Sequence, residues 1–428
     1  KWAKAAEWPV PRPGIREYVV LARTRVVCIR ELELPPSVMH STHHVQYEHA
    51  LHVWIYNIYI YIYILDPRPS SYARTCCENK NTKRSLQDRT HAPMTTTPGV
   101  SVAIVGDAFA DLFCFLDSDL PRAGGDARLV RPITAVAGGS GLNTATHLVA
   151  CSGHLYADET DAGGGEGSST RSANVSLHTA INEDDDHGKM LREHADRNGF
   201  ALVNCRRQMP CDGSAATGHC AVIVAGGERS FMTHLGVVGM FEAAHVNVDE
   251  IMALHGPQHH HLHVHVAGYF NIPGFWGGRL KHLLGEIRRM RGGPITVSLL
   301  PQHDATEEWD GGILELLPCV DILFVNELEA WSLVRSGTSG ARDPANEPSA
   351  AGVKVDDEGE AEYAESRIEQ ISAYFNTSCP STCIVVTLGS KGAVALRGGE
   401  VLCRQTAPMV VDEPVDPTGA GDSFIAGF

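Results

Sequence analysis

Short apolar runs recur through this chain, bounded by glycine or polar residues and spaced by stretches long enough for a helix. Val102–Val105, His263–Tyr269, Ile295–Leu299, Ile322–Val325 and Cys383–Val386 are of this kind. Strands buried on both faces read as continuous apolar runs, and joining them in parallel needs a crossover of helical length. The pattern predicts βαβ units and a parallel sheet, hence an α/β fold.

The charge is uneven. Residues 1–93 carry 13 Lys+Arg against 8 Asp+Glu, a net +5, whereas residues 94–428 carry 22 against 43, a net −21. So acidic a body argues against nucleic acid as a partner. Any phosphate site in it must rest on backbone amides, a metal ion and local charge. With 43% hydrophobic residues, the 428-residue chain has ample material for a core. Its 12 cysteines form no C-x-x-C pair, which fits free thiols in a reducing, cytoplasmic setting and no metal cluster. The histidines of 259–265 alternate into the strand predicted at 261–267, so they are read as flanking a strand rather than binding metal.

Residues 1–93 differ in character. Seven of the 11 tyrosines lie there, four of them in Tyr56-Asn-Ile-Tyr-Ile-Tyr-Ile-Tyr63. Leu51–Leu65 is too short to span a bilayer as a helix, so no membrane role is expected. The Ile-Tyr alternation is what a translated AT repeat gives. A disordered or mistranslated extension, with the true start at Met94, is therefore expected. A targeting peptide is the alternative.

The chemistry concentrates in Asp416-Pro417-Thr418-Gly419-Ala420-Gly421-Asp422-Ser423-Phe424, followed by a short apolar, helix-like run. Glycines let the backbone approach a ligand closely, and a helix start adds partial positive charge, which together suit phosphate. Asp422, one residue past the last glycine, is placed to take a proton from an attacking hydroxyl. Earlier in the chain, Ala137-Gly138-Gly139-Ser140-Gly141-Leu142-Asn143-Thr144-Ala145 opens a second helix-like stretch. A dinucleotide-binding turn would need its glycines directly after the first strand, and here they follow an extended segment.

These motifs resemble, in order, those of the ribokinase (PfkB) carbohydrate kinases, over about 94–428. The resemblance implies a ribokinase-like three-layer α/β/α sandwich with a small β-sheet lid, its segments at about 112–136 and 214–236. It implies transfer of the ATP γ-phosphoryl to a hydroxyl of a sugar or sugar-like alcohol, with Asp422 as base. The amides of Gly419, Ala420 and Gly421 would hold developing charge. Asp111, with Asp107 as second candidate, and Gly138, Gly139 and Asn143 would bind the acceptor. A strand-end cap is the plain structural alternative for either aspartate.

The Asn326-Glu327-Leu328-Glu329 run resembles the family's N-x-x-E motif, with Asn326 near phosphates and Glu329 organising Mg2+ through water. Both glutamates also suit an ordinary helix start. Thr387, Gly389 and Gly392 match the nucleotide turn, with Lys391 near phosphate or in solvent. Asp416 and the Thr418 carbonyl match monovalent-cation positions, so K+ is a further expectation, as is a homodimer through the lid. Two readings stay beside the sugar kinase: a nucleoside kinase of the same fold, and a non-catalytic sugar- or nucleotide-binding homologue.

One departure stands out. Many members carry Ser-Leu-Asp-Pro where this chain has Ser298-Leu299-Leu300-Pro301, with His303 and Asp304 following closely. Residues 156–174 and 337–360 read as polar insertions. Asp184-Asp185-Asp186-His187-Gly188 reads as a helix cap rather than a metal site. The motif's nearness to Phe428 leads to the expectation of a C-terminally truncated kinase domain.

Overall fold

All six residues of Ser101–Gly106 are buried, as a strand covered on both faces requires. They form β3 in a computed structural model that describes residues 15–22, 25–32, 101–117, 119–157, 174–209, 215–225, 228–256, 261–338, 357–407 and 419–428. The chain divides into two units, Lys1–Leu51 and His52–Phe428. In the first, β1 (Ile15–Ala22) and β2 (Arg25–Leu32) pair antiparallel, from Ile15 opposite Leu32 to Ala22 opposite Arg25. This hairpin falls within the stretch expected to be a disordered or mistranslated extension. The Ile-Tyr run, both polar insertions for most of their length, and Asp416 to Thr418 lie outside the described residues.

The second unit is built on a nine-stranded sheet. Its strands are β3, β6 (Asn174–Thr179), β7 (Ala201–Asn204), β10 (Leu262–Ala267), β11 (Ile295–Leu300), β12 (Ile322–Asn326), β13 (Cys383–Thr387), β14 (Ala393–Arg397) and β15 (Glu400–Gln405). Their order is β15-β14-β13-β12-β11-β10-β3-β6-β7. All neighbours pair in parallel except β13–β14 and β14–β15. From β3 the chain adds β6 and β7 on one side and then β10 to β13 on the other. Strand order therefore reverses between β3 and β10.

Alternation along each strand sorts side chains onto two faces. Ala103 and Val105 join Val264, Val266, Leu299, Leu323 and Val325 beneath α3 (Val248–Leu254), α4 (Arg279–Arg291), the short α5 (Ile313–Leu316), α6 (Glu327–Gly337) and α7 (Asp357–Ser378). Val102 and Ile104 face the other way, against Leu142 and Ala145 of α1 (Ser140–Ala157) and Leu191 and Ala195 of α2 (Asp186–Asn198). On that same side Leu300, Ile322 and Phe324 pack with Phe424 and Ile425 of α8 (Ala420–Gly427). The result is the expected three-layer α/β/α sandwich. Ile104 is fully buried at the centre, and truncating it to alanine should cost about 2–5 kcal/mol.

A four-stranded sheet stands apart from this sandwich, in the order β5-β4-β8-β9. It comprises β4 (Phe109–Phe115), β5 (Thr134–Gly138), β8 (His219–Ala225) and β9 (Glu228–His234). The β8–β9 hairpin is antiparallel, as the sequence pattern suggests, whereas β4 pairs in parallel with β8. The acidic run before α2 is a cap: Asp185 accepts from the Gly188 amide at 2.7 Å, and its other oxygen accepts from the Thr217 amide at 2.7 Å. That second bond ties α2 to the segment entering β8.

Candidate active site

Parallel pairing brings the carboxyl ends of β3, β10 and β11 into line, with Gly106 opposite Ala267 and Ala267 opposite Leu300. In open parallel sheets ligands bind in the crevice beyond these ends, where strand order reverses. Here that crevice lies between β3 and β10, and the first turns of α1 and α8 border it.

Gly419 precedes α8 with φ +74°, a left-handed conformation that a Cβ disfavours. The turn sets Ala420 and Gly421 exposed at the helix start, while Asp422 in the first turn is buried. Ser140, at the start of α1, donates from Oγ to Asp422 Oδ1 at 2.9 Å. Asn143 Nδ2 donates to Oδ2 at 3.0 Å. Burial pushes the Asp422 carboxyl up to about 7, against the pull of the Asn143 and Ser140 hydrogen bonds, and Asp107 and Asp111 raise it further. A carboxylate so poised is a competent base near neutral pH.

Asp111 lies on β4, and burial with the Asp107 charge lifts it to about 7 as well. Gly138, on the neighbouring β5, passes so close that a Cβ there would collide with the Asp111 carboxylate. Asp107 lies deeper, fully buried. It accepts from the Gly141 amide at 3.1 Å and from Asn271 Nδ2 at 2.7 Å, which fastens the β3 end to α1 and to the segment after β10. Burial raises this carboxyl too. Asn271 Nδ2 also reaches Gln302 Oε1 at 3.2 Å, and Gln302 has φ +63°. A non-glycine residue in that region costs about 1 kcal/mol or more, so surrounding contacts must hold it.

A second cluster forms at the ends of β12 and β13, where Asn326 pairs with Thr387. Asn326 Oδ1 accepts from the Glu329 amide at 2.8 Å, and Glu329 Oε2 accepts from the Asn326 amide at 2.9 Å. This reciprocal capping box buries Glu329, and burial raises its carboxyl despite the Asn326 bond and the nearby His303. After Thr387 the chain turns through Gly389 and Gly392, with φ +58° and +99°, and the Leu388 amide donates to the Gly392 carbonyl at 2.8 Å. Lys391 is exposed on this turn.

The structure thus gathers Asp107, Asp111, Gly138, Gly139, Asn143 and Asp422 around one crevice, and Asn326, Glu329, Thr387, Gly389 and Gly392 at the neighbouring strand ends. Leu300 packs into the core with Phe324 and Val385. Asp304 does not replace a carboxylate there, because both its oxygens hold the Thr306 hydroxyl and one accepts from the Trp309 amide. His303 pairs with Glu307 at 3.1 Å. Ser140 and Asn271 were not singled out from sequence. Ser140 lies inside a motif read for its glycines, and Asn271 follows Gly268 at the carboxyl end of a predicted parallel strand, which is the signal for it.

Among the described residues no group of three or more His, Cys, Asp or Glu could hold a metal, and no helix is long and apolar enough to cross a membrane. Residues 100–428 match the family model described as pfkB family carbohydrate kinase. An adenosine kinase of Dictyostelium discoideum is 26% identical over 249 residues, 57% of this chain and 62% of that protein. Adenosine kinase 2 of Arabidopsis thaliana is 26% identical over 232 residues, 51% of this chain and 55% of that protein. The chain therefore spans less than two thirds of the length of either relative. A ribokinase structure from Giardia lamblia aligns at TM-score 0.50 and 19% identity, covering 76% of this chain and 80% of that one, a likeness of fold.

Proposed function

The chain belongs to the pfkB family of carbohydrate kinases, and from that premise we propose that it transfers the γ-phosphoryl group of ATP to a hydroxyl of a sugar or sugar-like alcohol. The observation that carries this reading is Asp422: a buried carboxylate, lifted to about 7, fixed through both oxygens beside the Gly419 turn. Asp422 takes the acceptor's hydroxyl proton as the acceptor oxygen bonds to the γ-phosphorus. The bond to the bridging oxygen breaks, and ADP leaves with its electrons. Amides of Gly419, Ala420 and Gly421 stabilise charge on the transferred group.

Asp111 accepts hydrogen bonds from acceptor hydroxyls, with Gly138 leaving room for its carboxylate and Gly139 for the Ala108–Phe109 backbone beneath. Asp107 holds the base of the site in register through Gly141 and Asn271. Burial dominates all three carboxylates, with the Asp107 charge adding to it at Asp111 and the Asp107 and Asp111 charges at Asp422, and no lysine or arginine among the described residues offsets it. That favours an uncharged acceptor over one already phosphorylated.

Asn326, Thr387, Gly389 and Gly392 form the nucleotide side. One Glu329 oxygen is spent on the capping box, which leaves the other for a water of a hydrated Mg2+; a single outer carboxylate fits that ion. When bound, Mg2+ would neutralise charge on the ATP phosphates. Asp416 and the Thr418 carbonyl are proposed to hold K+. The small sheet is proposed as a lid, with a homodimer through it and a cytoplasmic location as further parts of this reading.

A nucleoside acceptor is the second reading. The two relatives above are named adenosine kinases. Phe113 shares the Asp111 face of the small sheet and pairs with Val222, which pairs with Phe231. Phe113 and Val222 are buried within this sheet, and exposed Phe231 beside them is the apolar group on which a nucleobase could stack. A panel of free sugars, polyols and nucleosides with Mg-ATP, followed by 31P NMR of products, separates the two. Phosphorylation of nucleosides alone would replace the sugar reading, and no product from any acceptor would defeat both.

A further inference from the structure

His147 and Asn143 lie four residues apart on α1, so they stand one above the other on one helix face. Both side chains lie beside Gly419. A Cβ built on Gly419 would sit 3.7 Å from Asn143 Nδ2, 3.8 Å from Asp422 Oδ2 and 3.9 Å from His147 Nε2. Three polar groups therefore converge where this turn has no side chain. Two of them are committed to each other, since Asn143 donates to Asp422. His147 has no hydrogen bond among the described residues, and it is half-buried.

We propose that His147 is a catalytic residue that donates from Nε2 to an oxygen of the transferred phosphoryl group. This rests on the kinase reading and extends it. Asp107, Asp111 and Asp422 make the crevice acidic, so an incoming phosphoryl needs donors beyond the three amides, and His147 Nε2 stands beside that turn. Burial holds His147 below the usual histidine range, so at neutral pH it is uncharged and carries one N–H. A neutral donor adds no cation to neutralise Asp422, which stays free to act as base. As negative charge develops on the phosphoryl oxygens, the hydrogen bond strengthens. His147 transfers no proton. The bonds made and broken are those already described, and the acceptor's proton still goes to Asp422.

The test compares wild type with His147→Phe, His147→Ala and His147→Gln in steady-state turnover with Mg-ATP and the best acceptor of the panel. Phenylalanine keeps the ring without a donor, and glutamine restores an N–H at similar reach. The expected result is a kcat loss of about tenfold to hundredfold in the Phe and Ala variants, with the acceptor KM within about twofold. Gln should recover most of it, and all variants should melt with wild type. A Phe or Ala variant turning over within about twofold of wild type, or a Gln variant no better than Ala, overturns the assignment while leaving the kinase reading intact. Wild type without turnover on any acceptor overturns the kinase reading, and this assignment falls with it.

Discussion

Ser140 Oγ and Asp422 Oδ1 meet at 2.9 Å across 282 positions of sequence. This bond joins the start of α1 to the start of α8 and aims the carboxylate into the crevice. It also favours the charged form of a group that burial pushes the other way. Removing it should therefore change the pH at which the protein works more than its fold.

With Asp111 and Asp422 both lifted to about 7, kcat/KM should fall as pH drops below about 7. The two groups are coupled, so the midpoint belongs to the pair. Ser140→Ala removes a bond to the ionised form and should move this acid limb to higher pH, with activity recovering in alkaline buffer. A pH–rate profile showing a uniform loss at every pH would contradict this role.

Stability should carry the same signature with a defined sign. Asp422 titrates near 3.8 when unfolded and near 7 when folded. Its contribution is most favourable below about 4 and is lost as pH rises through about 7, by up to about 4 kcal/mol. Asp422→Asn never ionises and keeps one of the two acceptor oxygens, giving up one bond from Ser140 or Asn143. Its melting temperature should exceed that of wild type at pH 8 and approach it near pH 5, which calorimetry at both values can check.

Gly419→Ala should damage activity more than fold. Its φ of +74° implies a backbone penalty of about 1–2 kcal/mol. The new methyl also enters the space lined by Asn143, Asp422 and His147. A variant that melts slightly lower and turns over normally would show that this space is not used.

Asp111→Asn removes a charged acceptor from the proposed hydroxyl site. Losing a charge-assisted bond of about 1.5–3 kcal/mol should raise the acceptor KM by about tenfold or more. The KM for ATP should stay near wild type, and both constants are read in one kinetic series.

Much of this architecture was legible in the sequence because it is local. Continuous apolar runs marked the parallel strands, and glycine turns before apolar runs marked α1 and α8. What the sequence hid depends on the third dimension. The parallel pairing of β4 with β8 joins segments about one hundred residues apart and leaves no local trace. Asp107 and Asp111 look alike in the sequence, yet one is sealed beneath the crevice and the other stands beside Gly138. Leu300 looked like a lost carboxylate and proved to be a core residue. His147 carried no motif. Its place follows from helical spacing only once Asn143 is known to face Asp422.

The most direct test is single turnover with Mg-ATP and a phosphorylatable acceptor, comparing wild type with Asp422→Asn. The proposed base predicts a loss of about a hundredfold to ten-thousandfold in the chemical step, with ATP still bound and the protein folded. An Asp422→Asn protein that transfers phosphoryl at the wild-type rate would contradict the account.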